Sequence, residues 1–323
     1  MTDLTALDTL VPGPLSLAGH RLGTPQQAGA LTMVPISGPA HPGFTPPRAL
    51  RPSRAAGCGQ VELTNPDPDG VAIVPLHLGH VQDGTRSHAL CRSALIAPGQ
   101  TLRFHDACRV QDVPGGHRTG GDPWFYVLPG DLRARALALR GVHDHGKLRD
   151  AVADLNARHG LPRRGHLDHL LSRQRPDLTR FHSRLEPQPG QVGALFLTAG
   201  RLAGLEITPA PAYFAQMWTA LVCFAYGGAA SRAEPAPPAT AAPYDAANLA
   251  ELRGALDRDR SDRLARLTRQ ITTQITGPAT GPLHLQEEDR HRTLRLSTLT
   301  APHLAGQIVT DGDRAVYASL FAR

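Results

Sequence analysis

The sequence predicts an α+β protein: an antiparallel, β-sandwich-like N-terminal half, helices in the middle, and a C-terminal helix followed by a β-hairpin. Three observations carry this. Short apolar runs bounded by turn residues fill the first 130 residues; the apolar spacing then becomes helical; and alternation returns at the end. The 32 glycines and 29 prolines fit many turns and exclude a long coiled coil. With 41% hydrophobic and 19% charged residues, the chain has the apolar content to bury a core.

Residues 1–30 carry no pattern and are expected to be irregular. β-runs follow at 31–36, 60–64, 71–78, 101–105 and 125–128. The turn Asn65-Pro-Asp-Pro-Asp-Gly70 separates two of them, since each proline fixes its own φ and Asp-Gly supplies a positive one. Residues 60–64 alternate as a half-buried strand does, whereas 71–74 (Val-Ala-Ile-Val) is apolar throughout and belongs at a sheet centre. Leu148, Val152, Leu155 and His159 then share one helix face. Leu167, Leu170, Leu171, Leu178, Phe181 and Leu185 mark a second helix, broken near Pro176. Residues 191–198 and 201–207 read as two strands joined by Ala199-Gly200. The run from Pro211 to Tyr226 reads as a helix apolar all round. Its apolar part is about 16 residues, short of the roughly 20 that span a bilayer, so a core helix is expected and no membrane contact.

The Pro/Ala-rich stretch 233–246 is the best linker signal. It divides a main domain (31–232) from a tail (247–323). In the tail, Leu249, Leu252, Leu256, Leu264, Leu267, Ile271 and Ile275 form the stripe of a helix of about 28 residues, stopped by Gly277-Pro278. Residues 293–297 alternate, and 308–317 reads as a hairpin turning at Asp311-Gly312. Such a tail is too small for its own core and is expected to pack back onto the main domain.

The chemistry is bounded mostly by what is missing. Lys147 is the only lysine, and no Gly-x-x-x-x-Gly-Lys-[Ser/Thr] motif occurs, so a P-loop nucleotidase is excluded. Gly-x-Ser-x-Gly and His-Glu-x-x-His are missing too. Cys58, Cys91, Cys108 and Cys223 form no Cys-x-x-Cys pair, and the start of the chain shows no secretory pattern. Buried free thiols and a cytoplasmic location are therefore expected. The 16 histidines invite a metal reading through His77, His80, His88 and His105, His143-Asp-His145 or His166-x-Asp-His169. Nothing fixes a third ligand, so no metal or cofactor is assigned. Residues 115–121, rich in glycine and carrying His117 and Arg118, read as a long connection whose backbone donors suit an anion. The net charge of +6 permits nucleic-acid binding, with Arg163, Arg164, Arg173 and Arg180 as candidates in the densest basic stretch. Aromatic residues at 5%, none interleaved as a stacking platform, weigh against it.

A resemblance adds to this. The segments Gly59-Gln-Val-Glu-Leu-Thr-Asn-Pro, Val71-Ala-Ile-Val-Pro-Leu-His-Leu-Gly-His, Leu95-Ile-Ala-Pro-Gly-Gln, Gln191-Val-Gly-Ala-Leu-Phe-Leu and Arg201-Leu-Ala-Gly-Leu-Glu-Ile occur in one order. Phe214-x-x-x-Trp218-x-x-Leu221 and the terminal Ala315-Val-Tyr-Ala-Ser-Leu-Phe complete the series. The series resembles the ADP-ribosylglycohydrolase- and rhodanese-phosphatase-superfamily-associated protein (ARPP) domain family over residues 31–321. The chain departs from that family's polar signatures. Gly79-His80 stands for its Gly-Glu, Arg86-Ser87-His88 for its Gln-Asn/Asp-Arg, and Cys108-Arg109-Val110 for its Cys-Val-Glu. By the resemblance, Gly79, His80, Arg86, His88, Cys108 and Arg109 are the candidate ligand residues. The function they imply is a binding or accessory protein for an anionic nucleotide or ADP-ribose-like ligand. A hydrolase with a histidine general base and an arginine-mediated nucleic-acid binder are the alternatives, and whether the protein is an enzyme stays open.

Overall fold

The computed structural model describes residues 17, 19–53, 59–81, 86–111, 124–173, 175–235, 246–276 and 283–323. Strands β1 (Arg21–Leu22) and β2 (Gln26–Ala28) fall in the stretch expected to be irregular, where β3 (Leu31–Ser37) supplies a pairing edge to both. Short strands follow: β4 (Phe44–Thr45), β5 (Arg51–Ser53), β6 (Val61–Thr64), β7 (Val71–Val74) and β8 (Leu78–Val81). Next come β9 (His88–Ala89), β10 (Ala94–Ile96), β11 (Thr101–Phe104), β12 (Cys108–Arg109) and β13 (Trp124–Val127). They make three small sheets, ordered β10–β7–β4, β11–β6–β5 and β12–β9–β8–β13. The apolar β7 is the middle strand of its sheet and is buried throughout. Its pairing with β4 is parallel; the other pairings among the described residues are antiparallel. The Asn-Pro-Asp-Pro-Asp-Gly turn is tied by its own side chains. The Asn65 amide donates to the carbonyls of Gly70 (2.7 Å) and Ile96 (3.1 Å), and Asp67 accepts from the Gly70 and Asp69 amides.

The large sheet runs β1–β3–β14–β15–β19–β18–β17–β16, with β2 also on β3. Its later strands are β14 (Gln191–Thr198), β15 (Arg201–Ile207), β16 (His284–His291), β17 (Leu294–Thr300), β18 (Leu304–Asp311) and β19 (Arg314–Ala322). The β14–β15 hairpin turns at Ala199-Gly200, both at positive φ, as a two-residue turn requires. The β18–β19 hairpin turns one residue later than expected, at Gly312-Asp313, because Asp311 pairs with Arg314. Strand β16 carries a largely exposed polar sequence, the chemistry of a protected sheet edge. The small sheet β10–β7–β4 packs on the large one, with Val71, Ile73 and Leu95 against Leu294, Leu296, Val309 and Tyr317. This forms two β layers around one core. The Tyr317 hydroxyl also accepts from the Leu76 amide at 2.8 Å across that contact.

The helices are α1 (Gly130–Ala138), α2 (Arg149–Arg158), α3 (Leu167–Arg173), α4 (Arg175–Arg184) and α5 (Pro211–Thr219). Helix α5 continues as a π-helical stretch (Ala220–Gly227) and a last turn, α6 (Gly228–Ala230), before the long α7 (Leu249–Thr276). Pro176 sits in the first turn of α4, where a proline starts a helix without losing a bond. Gly227 permits the π winding: a Cβ there would stand 2.5 Å from the Val222 carbonyl oxygen. No helix among the described residues is long and apolar enough to cross a membrane. The α7 stripe is buried only in part, with Leu264 at 6% exposure and Leu249 at 75%. Helices α1 to α3 cover one face of the β12–β9–β8–β13 sheet, where Ala89, Cys108 and Tyr126 meet Leu132, Leu148, Val152 and Leu167.

The lone lysine closes this layer. Lys147 Nζ donates to the carbonyls of Asp106 (2.7 Å), Leu139 (2.8 Å) and Val142 (2.7 Å), tying the end of α1 to the approach to β12. Three carbonyls lose their donor in Lys147→Met, which should lower unfolding stability by about 2–3 kcal/mol in urea titrations. Lys147→Arg should recover little of it, because a planar fork does not point three donors the way an ammonium does.

Candidate functional site

Strand register decides which of the candidate residues meet. Arg109 on β12 lies opposite His88 on β9, His88 lies opposite His80 on β8, and His80 lies opposite Phe125 on β13. Directly opposed residues project from the same face of a sheet. Arg109, His88, His80 and Phe125 therefore form one row across four strands. The next row, on the other face, is Cys108, Ala89, Gly79 and Tyr126. The structure brings His80, His88 and Arg109 together and turns Gly79 and Cys108 away from them. Gly79 serves packing rather than ligand approach: a Cβ there would lie 2.2 Å from the Tyr126 ring. Cys108 is fully buried under the helices.

Arg86, at the entry to β9, belongs with the first row. Its backbone hydrogen-bonds the His88 side chain and its charge bears on that imidazole. His145 joins from the turn before α2, where its carbonyl accepts from the Arg109 amide at 2.8 Å. Gly59 makes room for it, since a Cβ there would stand 2.6 Å from His145 Cβ. Burial holds His88 below the usual imidazole range, and Arg109, His145 and Arg86 push it further down. The bond with the Arg86 backbone acts in the opposite sense. At neutral pH His88 is thus an uncharged imidazole among groups that are, or can become, cationic.

A family model for the ARG and Rhodanese-Phosphatase-superfamily-associated Protein domain matches residues 19–321, nearly the whole chain. The chain belongs to the ARPP family. No curated protein and no solved structure matches it. In this ARPP domain the three segments aligned with the polar signatures, Gly79-His80, Arg86-Ser87-His88 and Cys108-Arg109, lie on or beside β8, β9 and β12. These strands are separate in the chain and adjacent in one sheet.

The other candidates of the ARPP domain are dispersed. Arg163 pairs with Asp154 at 2.6 Å, and the Arg164 carbonyl accepts from Asn156 at 2.7 Å. Arg173 closes α3, and Arg180 on α4 stands over the Phe181 ring at 5.7 Å. The His166 and His169 rings stack at 5.0 Å, yet no group of three His, Cys, Asp or Glu suited to a metal occurs among the described residues. The 115–121 loop and Cys58 lie outside the described residues.

Two features of the ARPP domain have no counterpart in the sequence reading. One is a cleft of about 460 Å³ lined by Arg92, Arg103, His105, Asp106, Arg140 and Glu288 among others. Its arginines already have carboxylates: Arg140 meets Glu288 at 2.8 Å, Arg103 meets Glu62, and Arg92 stands 3.7 Å from Asp106. The other is a buried polar network. Arg133 Nη1 donates to Glu206 Oε1 and to the Tyr226 hydroxyl, both at 2.9 Å, and Nη2 donates to Ser319 Oγ at 2.6 Å. Arg133 has 0% exposure, so this network is closed to any ligand and holds the fold together.

Proposed function

We propose that this ARPP domain binds a small anionic ligand, of nucleotide or ADP-ribose type, against the Arg109–His88–His80 row. The observation that supports it is the strand register, which aligns an arginine and two imidazoles on one face, with Arg86 and His145 beside them. A phosphate oxygen suits this set: a guanidinium offers two parallel N–H donors, and each imidazole offers one more. An anion would also offset the repulsion that, after burial, depresses His88. The cleft is a weaker candidate, because a ligand there must compete with ion pairs already made.

Thermal unfolding with ADP-ribose, ADP and inorganic phosphate tests the reading, since a ligand that binds only the folded state raises its melting temperature. ADP-ribose or ADP should raise the wild-type midpoint, and Arg109→Gln and His88→Gln should each remove most of that rise. Binding should tighten as pH falls into the range, below that of a free imidazole, where an anion draws a proton onto His88. A rise that survives in both variants, or no rise with any anion, overturns the proposal.

A further inference from the structure

On the opposite face of the same sheet, Cys91 Sγ and Cys108 Sγ stand 2.8 Å apart. That is longer than the disulfide bond of about 2.05 Å and close enough that a small shift joins the two sulfurs. Both residues are at most 1% exposed. The pairing follows from topology. Cys108 opens β12 opposite Ala89 of β9, and Cys91 lies two residues beyond Ala89. Each side chain then reaches the same point beside the sheet. Lys147, held by its three carbonyls, bears on Cys91 by its charge, and Asp106 bears on it as well. Arg92 follows Cys91 in the chain and Asp106 precedes Cys108 by two, and both line the 460 Å³ cleft.

We propose that Cys91 and Cys108 are a reversible redox pair, in which a peroxide converts the two thiols to a disulfide and Lys147 supports the attacking sulfur. Cys91 is the attacking thiol, because its contact with Cys108 and the Lys147 charge both favour its anion. Cys108 is the resolving thiol: its hydrogen bond to Cys91 and its burial both keep it protonated. The Cys91 thiolate attacks one peroxide oxygen, the O–O bond breaks, and the departing oxygen leaves as water after taking a proton. Cys91 is then a sulfenic acid. Cys108 sulfur attacks it, the S–O bond breaks, and the hydroxyl leaves as water with the Cys108 proton. Two thiols and one hydrogen peroxide thus give one disulfide and two waters, with two electrons passing from sulfur to oxygen. A buried dithiol reacts slowly with bulky reagents, so a small oxidant is the appropriate probe.

Treating the folded full-length protein with hydrogen peroxide and mapping non-reduced peptides by mass spectrometry tests this. The expected product is a Cys91–Cys108 cross-linked peptide, lighter by two hydrogens than the two free peptides together and restored by dithiothreitol. Cys223, packed in the main core, should stay reduced over the same interval. Cys91→Ser and Cys108→Ser should each abolish the cross-link; Cys91→Ser should also protect Cys108, whereas Cys108→Ser should leave a trappable sulfenic acid on Cys91. Where a serine variant does not fold, the pH dependence of wild-type cross-linking replaces it, with a rate that rises with thiolate. Overturning outcomes are cross-linking to Cys58 or Cys223 instead, or both thiols unchanged after Cys223 has been oxidised. Thiolate trapped first on Cys108 rather than Cys91 equally overturns the assignment.

Discussion

Replacing Glu206 by leucine is expected to remove about 3–5 kcal/mol of unfolding free energy, the typical loss when one partner of a buried ion pair is deleted. The reason is what remains behind. Arg133 would keep its charge with 0% exposure, where no water can replace the carboxylate. In the native fold, burial disfavours that charge, but Tyr226 and Glu206 outweigh burial and raise the guanidinium's pKa. The Tyr226 hydroxyl accepts from Arg133 and donates to Glu206 Oε1 at 2.5 Å. The guanidinium also sits 4.8 Å from the Phe321 ring centroid and 5.6 Å from that of Tyr226. The network joins α1, β15, the π-helical stretch and β19, so its loss loosens every layer of the fold. Urea unfolding of the single variant gives the cost directly. The double variant Arg133→Met, Glu206→Leu should recover most of it, since it leaves neither charge buried. A single-variant loss below about 1 kcal/mol would mean that the pair is no more than an exposed salt bridge in energy.

The same arginine explains one limit of reading this fold from sequence. Helix α7 was legible because leucines recur at helical spacing along it. The β14–β15 hairpin was legible because Ala199-Gly200 lies between two apolar runs. Helix α1 was not, because its inward face carries Arg133 among Leu132, Ala136 and Leu137, and nothing local separates a buried arginine from Arg135 beside it. Strand β16 escaped for the converse reason: an exposed edge strand needs no apolar alternation. In the site, the three polar segments were legible as segments, but their adjacency is a product of strand pairing that no one segment specifies. Strand alternation then parts residues that are neighbours in the chain. His80 and Arg109 point one way, Gly79 and Cys108 the other. That parting also set Cys108 beside Cys91, a contact the 17-residue spacing alone does not disclose.

Acidification should destabilise the protein by about 2 kcal/mol between pH 7 and pH 5 through His77 alone. His77 has 0% exposure, lies at φ 60°, and holds its ring 5.7 Å from that of Phe321. Burial depresses its pKa well below the usual value, Arg133 depresses it further, and a backbone contact at Leu90 is the smaller, opposing influence. The unfolded chain instead takes up a proton near pH 6.5. Below that value the unfolded state binds one more proton than the folded state, so stability falls as pH falls, by about 1.4 kcal/mol per unit. The contribution is complete above pH 6.5 and drains away as pH drops toward the depressed folded value. His88 acts in the same direction and steepens the loss. His41 and His159, also depressed but far less buried, add little against solvent screening. Asparagine tolerates the left-handed backbone at this position and does not titrate, so His77→Asn separates charge from conformation. Its stability should fall less steeply than wild type between pH 7 and pH 5, by about one proton's slope. Parallel curves for the two proteins would show that His77 takes up its proton in the folded state and that Arg133 does not repel it.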